Sequence, residues 1–247
     1  MTDAPIEPTR DGLPPMPPGP PHEEKHFAEH ETVRDLVIGV ADGIAVPFAL
    51  AAALAAASAP AGIVIEAGLA AVAAVAVARG LGGYLGARSE AENYALERLR
   101  EEEESRIYPE REKWEVAAIL HRYGVRGEAL RMAVDCIAAD RKKWVDFMMR
   151  FELELTEPDP NRAARSAVTI AAASVAGGLV PLLPYMAAGT GRPALLASCA
   201  LTGAALFVFG WLKARATGLA PLRGAVQALA IGAGAAVAAY VAAGVAG

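Results

Sequence analysis

Five stretches of this chain are long and apolar enough to cross a lipid bilayer: residues 36–57, 63–87, 163–187, 194–212 and 222–243. A span needs roughly 20 helical residues to cover about 30 Å of hydrocarbon. Lipid gives an open backbone no hydrogen-bonding partner, so continuous apolar runs of this length fold as helices. A soluble all-α protein with very apolar core helices is the competing architecture, but a chain of 247 residues is too small to bury five such helices on every side. The expected fold class is therefore all-α: a polytopic membrane protein with five transmembrane helices and a helical cytosolic block between the second and third.

Composition agrees. Hydrophobic residues make up 54% of the chain but aromatic ones only 6%, and alanine and 24 glycines leave smooth helix faces that pack closely in lipid. The net charge of -5 is unevenly spread, with a large share of the acids between residues 89 and 157 and basic residues beside the apolar runs. No basic, aromatic-interleaved surface points to nucleic acid. Cys136 and Cys199 give neither a disulfide framework nor a thiolate metal motif, and both are expected to be buried, quiet thiols.

The chain divides into four regions. Residues 1–34 form a proline-rich tail, expected to be disordered, and then an amphipathic lead-in lying on the membrane surface. In that lead-in His22, His26 and His30 recur at four-residue intervals and would share a helix face, a spacing that can also ligate a metal. Residues 35–88 hold the first two membrane helices, 89–161 the helical block and 162–247 the last three membrane helices. Positive charge at the helix ends and in residues 213–223 places the amino end, the acidic block and that loop in the cytosol. Alanine content and the short chain suggest a bacterial inner (plasma) membrane.

Asp42 sits inside the first apolar run. A carboxylate there is costly without a proton, a cation or a polar partner, which makes it a functional candidate; the competing reading is a cap or anchor near the cytosolic end. Gly39 and Gly43 leave room for a close neighbour, and Pro47 removes one backbone donor and can open the helix near the carboxylate. In the second run Glu66 lies near the outer end and Arg79 deeper. Arg79 can pair with Asp42 or snorkel to the surface.

In the helical block Glu101 and Glu104 are three residues apart, as are Glu112 and Glu115, and the turn at Pro109 can bring the two pairs together. Met148 and Met149 precede Glu152, one helical turn after Met148. Carboxylates suit Mn(II), Fe(II) and Zn(II), and a thioether favours Fe(II) over calcium or magnesium. The competing readings are a solvated acidic face and methionines that fill apolar gaps. No phosphate-cradling loop, His-Glu-x-x-His sequence or nucleophile with a nearby base is present, so an enzyme is not expected.

The order of several motifs resembles the vacuolar iron transporter family, which includes plant and yeast vacuolar iron/manganese carriers. The matching segments are Gly39-Val40-Ala41-Asp42-Gly43-Ile44-Ala45-Val46-Pro47-Phe48-Ala49-Leu50, Gly80-Leu81-Gly82-Gly83-Tyr84-Leu85, Trp144-Val145-Asp146-Phe147-Met148-Met149-Arg150-Phe151-Glu152-Leu153 and Gly177-Gly178-Leu179-Val180-Pro181-Leu182-Leu183-Pro184-Tyr185. The resemblance implies a homodimer with an ion path at the subunit interface and export of Fe(II) or Mn(II) from the cytosol in exchange for protons. It implies metal ligands at Glu101, Glu104, Glu112, Glu115, Met148, Met149 and Glu152, with Glu102 and Glu103 as neighbours, and a pathway carboxylate at Asp42. Where iron-transporting relatives have a glutamate and a methionine on the second helix, this sequence has Ala71 and Arg79. That exchange weakens a cation site electrostatically. It opens a second reading, a membrane-bound metal sensor or sequestration protein with little or no transport.

Overall fold

The computed structural model describes residues 26–189 and 191–246, and the described secondary structure is helical. Helix α1, His26–Ala56, runs through Pro47 without interruption, and the missing proline N–H leaves the Gly43 carbonyl, next to Asp42, without its usual helical partner. The proline-rich tail and His22 lie outside the described residues, as do the side chains of His26 and His30.

Helix α2, Ala61–Ile107, has 47 residues and therefore measures about 70 Å, more than twice the hydrocarbon thickness. Its first half is a membrane helix and its second half is the scaffold of the helical block. Pro109 stands at the first position of α3 (Pro109–Arg122), where its missing N–H costs nothing, so the chain turns sharply at Tyr108. Gly124 and Gly127, at φ of +94° and +58°, make the next turn. Helix α4, Gly127–Ala138, follows. Asp140 then caps α5 (Arg141–Phe151), its carboxylate accepting from the Lys142 and Lys143 N–H groups. Val116, Val134, Trp144 and Met148 form the buried core of this block, with Leu120, Leu130 and Phe147 packed against it.

The chain returns to the membrane layer in α6 (Arg162–Leu179), a 3-10 turn at Val180–Leu182 and α7 (Leu183–Ala188). The third span is thus broken in its outer half, as Pro181 and Pro184 dictate. Helices α8 (Arg192–Ala216) and α9 (Pro221–Ala246) complete the described chain. Four helical spans, 31–55, 61–107, 162–188 and 192–215, are long and apolar enough to cross a membrane among the described residues.

Glycine decides how α1 meets α6. A Cβ on Gly177 would lie 3.0 Å from the Val40 carbonyl oxygen, one on Gly178 would lie 3.0 Å from that of Gly43, and one on Gly43 would strike the Ser174 backbone. The Gly39 and Gly43 pair is therefore the contact surface that its spacing suggests. The cysteine expectation fails: Cys136 and Cys199 are both free and exposed.

Candidate metal-handling site

The structure assembles two charged centres, one on the projecting helices and one inside the membrane layer. In the first, Glu101 on α2 is buried, as is Glu112 on α3, whereas Glu104 and Glu115 are partly exposed. Burial, followed by the neighbouring charges of Glu152, Glu112, Glu104 and Glu115, pushes the Glu101 carboxyl up to about 7. Glu112, Glu115 and Glu152 are also raised, each by burial first and then by one another. The five carboxyls named by their spacing therefore share one field.

A cation already stands among them. Arg111 Nη2 lies 2.9 Å from Glu104 Oε2 and 3.1 Å from Glu112 Oε1, and Arg111 Nε lies 3.6 Å from Glu115 Oε1. The guanidinium also rests 5.1 Å from the centre of the Tyr108 ring. Among the described residues no three carboxylates, histidines or cysteines are grouped closely enough to hold a metal ion. The expected convergence is thus one of field, with Arg111 taking the middle position. Glu112 Oε2 is buried and has no hydrogen-bond partner.

Met148 and Met149 are each 1% exposed. Met148 packs with Val116, Val134 and Trp144 in the core of the block, the gap-filling role that adjacent methionines usually play. Glu102 and Glu103 face away from the carboxylate centre, lining a separate cavity with Arg106, Arg141 and Lys142. Helical periodicity explains the split, since Glu101 and Glu104 share a face that their two intervening neighbours do not.

In the membrane layer Arg79 Nε lies 2.8 Å from Asp42 Oδ2. Pairing wins over snorkelling here because the two side chains meet across the α1–α2 contact. The arginine side chain remains 55% exposed and the aspartate 30%. Glu66 is exposed and sits roughly 20 Å along α2 from Arg79, too far to replace a ligand at this depth. A groove of about 440 Å³ leads from Arg79 along Gly82, Gly83 and Gly86 to Asp35 and Glu90. Its glycine floor leaves the groove open.

At the head of that groove is a buried network the spacing arguments missed. Arg162 Nη1 and Nη2 donate to Asp35 Oδ2 and Oδ1 at 2.6 and 3.2 Å, and Arg162 Nε lies 2.7 Å from Glu31 Oε2. In the sequence both residues look like ordinary charges at helix ends. The available signal was one acid and one base placed just before the first and third apolar runs.

This architecture has known counterparts. The family model described as VIT family matches residues 33–244, most of the chain. The chain belongs to the VIT family. It is similar to Vacuolar iron transporter 1 of Oryza sativa subsp. japonica, with 51% identity over 219 residues that cover 89% of this chain and 87% of the relative. Vacuolar iron transporter 1 of Arabidopsis thaliana is likewise 51% identical, covering 89% and 88%. Vacuolar iron transporter cccA of Arthroderma benhamiae is 31% identical over 155 residues, covering 61% of this chain and 54% of the relative. These VIT relatives are named for the vacuole and come from plants and a fungus, which overturns the expectation of a bacterial plasma membrane.

Proposed function

We propose that the chain moves Fe(II) or Mn(II) out of the cytosol in exchange for protons, as a homodimer with five membrane helices per subunit, α9 being the fifth. Membership of the VIT family supports divalent-metal transport in place of enzymatic turnover. The observation that carries the reading is Asp42, a carboxylate inside a membrane span, paired with the Arg79 that lines the groove, while a raised-pKa acidic cluster stands farther along the projecting part of α2.

In this reading the carboxylates of Glu101, Glu104, Glu112, Glu115 and Glu152 collect the metal, which takes the position the Arg111 guanidinium holds. Met148 and Met149 add thioethers only if α5 shifts, since both are now enclosed. Fe(II), Mn(II) and Zn(II) all fit such an oxygen-rich set. The metal then follows the groove past Glu90 and Asp35 to Asp42, where proton and metal compete for the same oxygens. A second subunit is called for by the half-exposed Asp42 and Arg79: a charge facing hydrocarbon costs roughly 2.5–3.5 kcal/mol or more, and a partner's polar face removes that cost.

The test is metal flux in sealed vesicles with an imposed proton gradient, comparing the wild type with Asp42→Ala. Flux is expected to fall to background in the variant. Equal flux in the two proteins would remove Asp42 from the route.

The 2.8 Å contact between Arg79 and Asp42 favours one second reading, a sensor or sequestration protein whose pathway carboxylate is held by a tethered cation. Metal binding without flux in the wild type, with flux appearing in the double variant Ala71→Glu, Arg79→Met, is the outcome that selects it.

A further inference from the structure

The basic turn between α8 and α9 has no part in the metal route. Lys213, Arg215 and Arg223 lie in a segment without any Asp or Glu from residue 160 to residue 247. None of the three forms an ion pair among the described residues, and Arg215 rests 5.4 Å from the Trp211 ring centre. Beneath Lys213 the helices α1, α8 and α9 surround a cavity of about 250 Å³. Ile44, Phe48, Leu206 and Phe209 wall it, Lys213 stands at its mouth and Thr202 lies at its deep end. The Thr202 hydroxyl is buried and has no hydrogen-bond partner.

We propose that this cavity holds one acyl chain of an anionic glycerophospholipid, with the lipid phosphate on Lys213. Three observations converge on that occupant. The first is depth: Thr202 and Lys213 are separated by about 16 Å of helix axis, close to half of the roughly 30 Å hydrocarbon core, so the cavity spans one leaflet. Val37, which lies two residues beyond Asp35, lines the same cavity and fixes its mouth at the end of the layer from which α2 projects.

The second is shape. The volume falls below the roughly 300 Å³ at which sites begin to bury drug-sized ligands, which suits a single hydrocarbon chain. Ala41, Gln227 and Ile231 line the cavity yet are exposed, leaving a lateral opening through which a chain can enter from the bilayer. The third is charge. Basic pockets between membrane helices are where acidic lipid headgroups bind, and the three cations here have no acid of their own. A second copy has no acid on α8 or α9 to offer this rim.

The experiment is native mass spectrometry of the full chain in detergent, titrated with dioleoyl-phosphatidylglycerol or dioleoyl-phosphatidylcholine. One phosphatidylglycerol per chain is expected to be retained in preference to phosphatidylcholine. Lys213→Gln is expected to weaken retention roughly fivefold while Lys213→Arg preserves it. Ala41→Phe, which leaves every charge in place, is expected to abolish it by filling the opening. Lys213 is exposed, so Lys213→Gln decides the matter if Ala41→Phe fails to fold. Equal retention of the two lipids overturns the proposal, as does indifference to Lys213→Gln. Equal retention of dihexanoyl-phosphatidylglycerol, or displacement of the bound lipid by inorganic phosphate, means that only the headgroup binds and rejects the acyl-chain site. A disulfide between two copies of Ile231→Cys means that a second copy fills the groove and rejects the lipid.

Discussion

Asp35 and Arg162 form a bidentate ion pair buried to 2% and 3% exposure, although 127 positions separate them in the chain. The pair fastens the start of α1 to the start of α6 at the head of the groove. Taking one partner away strands the other charge in a low-dielectric site. Arg162→Met is therefore expected to destabilise the protein by about 3–5 kcal/mol, and Arg162→Lys by less, because lysine keeps the charge and loses the fork. Thermal unfolding of the detergent-solubilised variants measures this.

Asp42 and Arg79 form an ion pair whose removal leaves either charge alone inside the membrane layer. A double-mutant cycle with Asp42→Asn and Arg79→Met is expected to give a coupling of about 0.5–3 kcal/mol in thermal stability. Additive effects would mean that the contact has no energetic consequence.

Arg111 supplies the positive charge that a divalent ion would otherwise supply to Glu104, Glu112 and Glu115. Arg111→Gln is expected to lower stability in chelator, through repulsion among the carboxylates. In Mn(II) the same variant is expected to gain more stability than the wild type, with an affinity about tenfold tighter, a change of about 1.4 kcal/mol. Calorimetric titration of the two proteins checks it.

Glu101 binds its proton more tightly in the folded protein, up to about 7 against an ordinary 4.5. Between those two values the folded state holds more protons than the unfolded one, so stability in chelator is expected to fall as pH rises through that window and to level off above it. Glu101→Gln is expected to flatten the slope. The same sign applies to metal: binding displaces the proton, so apparent affinity rises with pH up to about 7 and each binding event releases protons to the buffer.

Gly178 meets Val72 and the Gly43 carbonyl so closely that a Cβ would lie 2.6 and 3.0 Å from them. Gly178→Val is expected to cost about 1–3 kcal/mol through overpacking, whereas Gly82→Ala, with open space around it, is expected to be near neutral. Melting temperatures of the two variants separate these outcomes.

The sequence by itself determined the long apolar runs that form membrane helices, the helical block between the second and third of them, and the break that Pro181 and Pro184 make in the third span. These follow from run length, helical pattern and proline, all local properties of the chain. It also named Glu101, Glu104, Glu112 and Glu115, because a three-residue spacing puts side chains on one helix face wherever that helix lies. Only the tertiary structure decided that Arg111 stands among those glutamates, that Met148 faces a core, that Arg79 reaches Asp42 and that Asp35 finds Arg162. Each of these depends on which faces of separate helices are turned toward one another. Spacing fixes the angle of a side chain about its own axis, but packing between helices fixes what that side chain meets.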